Sequence, residues 1–349
     1  MKLHKKIILS SLLIGLFLTG CTTAPSIEEV AAEIPVTGNE EESMSEDTEA
    51  NLEDEAMTEE DPKPVFSVAP SDPPDALRTL ADSDSSLRAY ENRVLSGDNF
   101  LTNLYERPFT SQEMIYQPDL DIQTVDFAED DNFFYFTITL YDLDPATGTL
   151  NGLYGIEFDR TLTGRGDLFV LTESPGGDWT AENVTVFTDE NSDVGGPQPL
   201  IPDTGFSGSG YDAQETLGGE AAAFSRIAPN DDSAVQVAVS KALLGNPEEF
   251  TWGAWADNGL RDFTLYDYHD FFGMSEAGSP FRDNEDYPID ALYSVDNTCR
   301  LPYGQPQIGS TIPGVCISIP PAPKSEEKAP GRACPPGYVL VTGQCVPIN

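Results

Sequence analysis

The chain predicts an all-β protein: an antiparallel, jelly-roll-like β-sandwich with short helices, set behind a disordered acidic N-terminal stalk. Three observations carry this reading. Alternating apolar segments recur every ten to fifteen residues between about residue 120 and residue 257, with Gly, Asp and Pro between them. No long segment of helical period separates these segments, as a parallel α/β sheet would require. Residues 22–62 hold fifteen Asp or Glu and no Lys or Arg. Such a stretch buries too little apolar surface to offset its ordering entropy.

From the N-terminus, MKLHKKIILSSLLIGLFLTGC places Lys2, Lys5 and Lys6 before an apolar run from Ile7 to Leu18. The run is shorter than the ~20 residues that span a bilayer, and residues 1–20 read as a signal peptide. Leu18-Thr19-Gly20-Cys21 resembles the lipobox of bacterial lipoproteins. That resemblance implies cleavage before Cys21 and a lipid on Cys21, which anchors the chain to the membrane on its extracytoplasmic side. Each buried methylene of such an anchor contributes about 0.8 kcal/mol.

Loss of three of the 18 basic residues would leave 15 facing 60 acidic ones. This charge argues against a nucleic-acid partner and against anionic lipid surfaces, and it favours cations. Residues 21–74 form the expected tether, acidic and then Pro-rich in PKPVFSVAPSDPP.

Residues 75–118 are expected as a helix and an extended lead-in. Leu87, Tyr90, Val94 and Leu95 share one face at helical spacing, with Ser85 or Ser86 as cap and Gly97 as stop. The sandwich is expected over 119–318. In NFFYFTITLY, residues 132–141, Phe134, Phe136, Ile138 and Leu140 face one way, and Phe133, Tyr135, Thr137 and Thr139 the other. LYGIEFD, DLFVLTE, NVTVFTD, AVQVAVS and FTWGAWAD follow as further strands. Residues 319–333 read as a second linker, and 334–349 as a disulfide hairpin tail.

Five cysteines are present. With Cys21 acylated, four remain near the C-terminus, and four allow three connectivities. The nearest-neighbour pairing, Cys299–Cys316 and Cys334–Cys345, is expected. The chain lacks CxxC pairs, a GxSxG elbow and a Walker loop.

SAVQVAVSKALLGNPEEFTWGAWAD, residues 233–257, and EFDRTLTGRGDLFV, residues 157–170, are similar to strand pairs of the DOMON and family-9 carbohydrate-binding sandwiches. The resemblance spans about residues 120–295. It implies two antiparallel sheets carrying a sugar or haem site. Haem would need axial ligands, and His269 is the one imidazole beyond the signal peptide, so a sugar or no ligand is the expectation.

Two local sites are predicted. In TDENSDVGG, Asp189, Asn191 and Asp193 alternate as in the start of an EF-hand loop, but Val194 and Leu200 stand where Gly and Glu are needed. A compact turn closing the strand is expected there, with a short calcium-binding loop as the alternative. In FTWGAWAD, Trp252 and Trp255 fall on opposite faces of one strand. Trp252 shares its face with Phe250 and Ala254 and is expected in the core. Trp255 is expected as a platform for a sugar ring, with Asp257 and Asn258 bonding its hydroxyls, unless both tryptophans are covered. The function expected is a lipid-anchored, non-catalytic cell-surface protein that binds glycan, with a structural calcium. The alternatives are a polysaccharide-acting enzyme using paired carboxylates and a structural envelope lipoprotein.

Overall fold

The computed structural model describes residues 63–86, 97–111, 113–194, 210–259, 261, 272, 277, 291–304, 314–316, 338–341 and 344–347. The expected signal peptide, Cys21 and the expected acidic stalk lie outside them, as do residues 87–96 of the expected helix.

The strands in chain order are β1 (Arg78–Ala81), β2 (Glu106–Arg107), β3 (Ile122–Glu129), β4 (Phe133–Leu140) and β5 (Leu153–Asp159). Then come β6 (Leu168–Glu173), β7 (Val184–Thr188), β8 (Ala213–Gln214), β9 (Ala223–Ala228) and β10 (Asp231–Ser240). The last are β11 (Phe250–Asp257), β12 (Val295–Asn297), β13 (Leu301–Tyr303), β14 (Tyr338–Val341) and β15 (Gln344–Pro347). A five-stranded sheet runs β1-β3-β4-β10-β9. An eight-stranded sheet runs β2-β12-β11-β5-β6-β7-β8, with β13 also on β11. Their ladders are antiparallel, so the all-β sandwich expected from the alternation is present. The segment 75–118, expected as helix and lead-in, also supplies β1 to one sheet and β2 to the other.

The two sheets face each other over one apolar core. From the first sheet it takes Val125, Phe127, Phe134, Phe136, Ile138, Val235, Val237 and Val239; from the second, Tyr154, Ile156, Phe158, Val170, Val186, Phe250 and Trp252. Register puts matching side chains together: Val237 pairs with Phe136 and Trp252 with Phe158. Across the gap, the Trp252 ring meets Phe136 edge-on at 5.0 Å and stacks on Phe127 at 5.6 Å. Such aromatic pairs contribute about 0.5–1.5 kcal/mol beyond their buried area.

Part of each outer face is covered as well. Phe133, Tyr135 and Phe224, on the back of the five-stranded sheet, pack against Phe66, Val68 and Trp179. The Pro-rich stretch expected as free tether is thus, from residue 63, a strap bonded in place. Ser67 N–H donates to Gly219 O, Gly219 N–H to Val65 O and Ser71 N–H to the Tyr135 hydroxyl. The back of the eight-stranded sheet carries Phe169, Leu171, Phe187 and Trp255 under Phe100, Tyr105, Val194, Tyr211 and Leu292.

A buried ion pair is set into that second covered face. Glu157 Oε2 accepts from Arg300 Nε at 3.0 Å and Nη2 at 2.7 Å, and Arg300 Nη1 donates to Gly164 O at 2.7 Å. Tyr211 hydroxyl donates to Glu157 Oε1 at 3.1 Å. Next to Arg300, Cys299 is disulfide-bonded to Cys316, as the nearest-neighbour pairing expects. Cys334 lies outside the described residues; Cys345 sits on β15, whose hairpin partner β14 places Leu340 opposite it.

Two outcomes follow from this packing. Trp252→Ala and Trp255→Ala should each cost about 3–5 kcal/mol in equilibrium denaturation, since both are large buried side chains; a Trp255→Ala cost under about 1 kcal/mol would contradict the covered outer face. Arg300→Met alone should cost about 3–5 kcal/mol by stranding the Glu157 carboxylate, whereas adding Glu157→Leu should recover most of the loss. A double variant no more stable than the single would show that the pair is not acting as a unit.

Candidate functional site

The predicted sugar platform is not formed. Trp255 is 2 % exposed, in contact with Phe169 and Tyr105. Its ladder partner across β5 is Gly155, where a Cβ would meet Val170 O at 2.5 Å and Leu171 Cδ2 at 2.6 Å. Glycine there lets the Phe169–Leu171 stretch close up beside the indole. Asp257 is 1 % exposed, and its carboxylate accepts from the Gly259 N–H at 2.8 Å and the Arg261 N–H at 3.3 Å. It caps the turn after β11 rather than facing a ligand. Asn258 accepts from Arg261 Nη1 at 3.0 Å. The alternation that separates the two indoles is correct, but both faces of β11 are interior.

The described part of the TDENSDVGG segment, residues 188–194, is a compact loop closing β7, and Gly195 and Gly196 lie outside the described residues. Asp189 accepts from the N–H groups of Asn191, Ser192 and Val194, at 3.1, 2.7 and 3.2 Å. Asn191 Oδ1 accepts from the Asp193 N–H at 3.0 Å, and Arg165 Nη1 donates to Asp193 O at 2.9 Å. The side-chain oxygens of Asp189 and Asn191 thus turn inward to the loop backbone, as in an Asx turn. Burial raises the Asp189 carboxyl above its usual range, against the lowering effect of those N–H groups.

An open groove of about 880 Å³ lies where the strap meets the edge of the second sheet. Phe66, Trp179 and Phe224 are its aromatic members; Thr180, Glu182, Gln214 and Glu215 are among its polar ones. Phe66 sits edge-on to Phe224 at 5.0 Å. Trp179 is held on one side by the Arg226 guanidinium, 4.3 Å from its ring centroid, and its Nε1 donates to Ser71 O at 3.1 Å. Lys63 and Glu182 pair at the mouth at 2.5 Å; so exposed a pair adds little stability. The sequence hid this groove because it assembles from the expected tether, the loop after β6 and β8.

A second arrangement is buried. Asp82 follows β1, Glu106 lies in β2, Asp121 precedes β3 and Asp296 lies in β12. Glu106 and Asp296 are direct partners across the β2–β12 ladder, where like charges are destabilising. One carboxylate oxygen from each of Asp82, Glu106 and Asp296 lies within 4.8 Å of the others. Asp296 Oδ2 accepts from the Ile122 N–H at 2.7 Å, which ties it to the opposite sheet. Asp121 accepts from the Tyr116 hydroxyl at 2.5 Å and the Ser85 N–H at 3.4 Å. Burial, and then the neighbouring acids, raise the carboxyls of Glu106 and Asp296 well above the usual range. Burial pushes Asp82 and Asp121 up to about 7. Sequence reading missed this cluster because its members are far apart in a chain with 60 acids; no local spacing marks them.

Comparison with models of known protein families, with characterised proteins and with solved structures finds no match.

Proposed function

We propose that this chain is an exported, lipid-anchored, non-catalytic module that binds a glycan on the cell surface through the groove at Phe66, Trp179 and Phe224. The observation that carries the reading is the groove's composition. Aromatic edges stand beside an amide and two carboxylates, Gln214, Glu182 and Glu215. Sugar rings present apolar C–H faces and a rim of hydroxyls, which call for that mixture of groups. The surface charge agrees with a neutral ligand, since 60 acidic residues would repel polyanions. The export reading rests on the lysine-led apolar run and the LTGC tetrapeptide. The disulfide Cys299–Cys316 supports it, because such bonds persist in oxidising compartments.

Screening the purified chain on a glycan array should give binding that falls at least about tenfold in Trp179→Ala and in Glu215→Gln, a loss of about 1.4 kcal/mol each. Glu215 is exposed, so its replacement should leave the melting temperature unchanged. Wild-type protein that binds nothing on the array, or binding indifferent to both variants, would refute the groove. Separately, Cys21→Ala should leave an uncleaved precursor that takes up no labelled fatty acid; normal processing of that variant would disprove the anchor.

A further inference from the structure

We propose that Asp82, Glu106 and Asp296, backed by Asp121, form a binding site for one divalent cation of calcium's size. The site lies apart from the glycan groove and from the Asp189 loop, and its argument is independent of the binding function proposed above.

The geometry comes first. Calcium bonds carboxylate oxygens at about 2.3–2.6 Å, so oxygens on opposite sides of one ion stand about 4.6–5.2 Å apart. The three converging oxygens all lie within 4.8 Å of one another, inside that sphere. Three strands from two sheets supply or adjoin them, so no sliding of one loop is needed to bring them together.

The unmet bonding capacity is the second observation. Asp82 Oδ2, Glu106 Oε2 and Asp296 Oδ1 are buried with no hydrogen-bond partner, and so is the hydroxyl of Ser85 beside Asp121. Glu106 is 3 % exposed and Asp296 and Ser85 are fully buried. Buried polar atoms are rarely left without a partner, and each that is costs free energy. Here three carboxylates that converge on one another each carry such an atom.

The third observation is the missing countercharge. Among the described residues no ion pair reaches these carboxylates. Arg107 is next to Glu106 in sequence, but strand alternation sends it the other way, where it forms a two-bond pair with Asp98 at 2.6 and 3.0 Å. Buried charges are found paired or on metals; among the described residues this group meets no Lys, Arg or His, and Asp82 and Glu106 have only each other's carboxyls as side-chain partners. The backbone also makes room for the carboxylate: a Cβ at Gly97 would sit 2.8 Å from Glu106 Cγ and 2.9 Å from its Oε1.

Calcium fits better than magnesium. Magnesium keeps several of its waters and takes one or two carboxylates, whereas this enclosure offers three converging carboxylates and little solvent access. Bound there, the ion would join the end of β1, in the five-stranded sheet, to β2 and β12 in the eight-stranded one. It would relieve the repulsion between Glu106 and Asp296 that the ladder imposes. Extracellular modules of this kind bind calcium at about 10⁻⁴–10⁻³ M.

The test is thermal unfolding of the purified full-length chain at pH 8 in chelator, in calcium chloride and in magnesium chloride. Terbium luminescence sensitised by Tyr116, which bonds Asp121, reports occupancy directly. Calcium at a hundred times its dissociation constant should raise the melting temperature by about 5–10 °C, and terbium should be displaced by calcium. Glu106→Gln and Asp82→Asn should each abolish both signals while melting in chelator no lower than wild type, since each removes one acid from a crowded group. Asp189→Ala with Asp193→Ala should leave both signals intact. Absence of a calcium shift and of terbium emission in wild type would overturn the site, leaving the acids to hold protons. Loss of the signals in the Asp189/Asp193 variant but not in Glu106→Gln would overturn it in favour of the loop. Equal shifts with magnesium would overturn the assignment to calcium.

Discussion

Every residue of Phe250–Asp257 is buried, and the rest of the architecture is arranged around that strand. β11 pairs along one edge with β5 and along the other with β12 and β13. One face points into the inter-sheet core through Phe250, Trp252, Ala254 and Ala256, and the other into a second apolar layer through Trp255. A strand covered on both faces cannot offer an aromatic side chain to solvent. The second layer must come from elsewhere in the chain. It is recruited from the lead-in before β2, from Tyr211 and from Leu292. The same covering operates on the five-stranded sheet, where the strap from residue 63 and Trp179 close the back. The groove lies where that strap meets the edge of the second sheet, with Phe66 and Trp179 half-buried along it.

Covering both faces also buries polar groups, and the chain treats them in two ways. Glu157 is matched by Arg300 and Tyr211, and Asp98 is matched in two bonds by Arg107. In matched pairs of this kind each partner supplies the bonds that water would. The Asp82, Glu106, Asp121 and Asp296 group has no such cation among the described residues, and burial raises its carboxyls. The contrast within one molecule marks this group out. Basic residues are few beside 60 acids, and the buried arginines among the described residues stand at Asp98, Glu157 and Asp72.

Much of the sandwich is legible in local patterns, for identifiable reasons. In β4, Phe134, Phe136, Ile138 and Leu140 enter the core because strand geometry sends alternate side chains the same way. TDENSDV makes a turn because short Asx side chains reach nearby backbone N–H groups. Cys299 and Cys316 lie 17 residues apart and meet as the nearest-neighbour pairing expects. These are relations within a few residues, or along one strand.

What the sequence by itself determined, then, was the strand period, the all-β class, the turn at Asp189 and the opposition of Trp252 and Trp255. Alternation says that two side chains point apart; it cannot say whether either direction ends in water. Only the tertiary structure decided that Trp255 is core, that residues 63–72 are a strap rather than a tether, and that Asp82, Glu106 and Asp296 converge. Burial depends on which distant segment lands on a face, and that choice is made by packing complementarity over the whole fold. Gly155 opposite Trp255 shows this: its use appears only once Phe169 and Leu171 have closed against it.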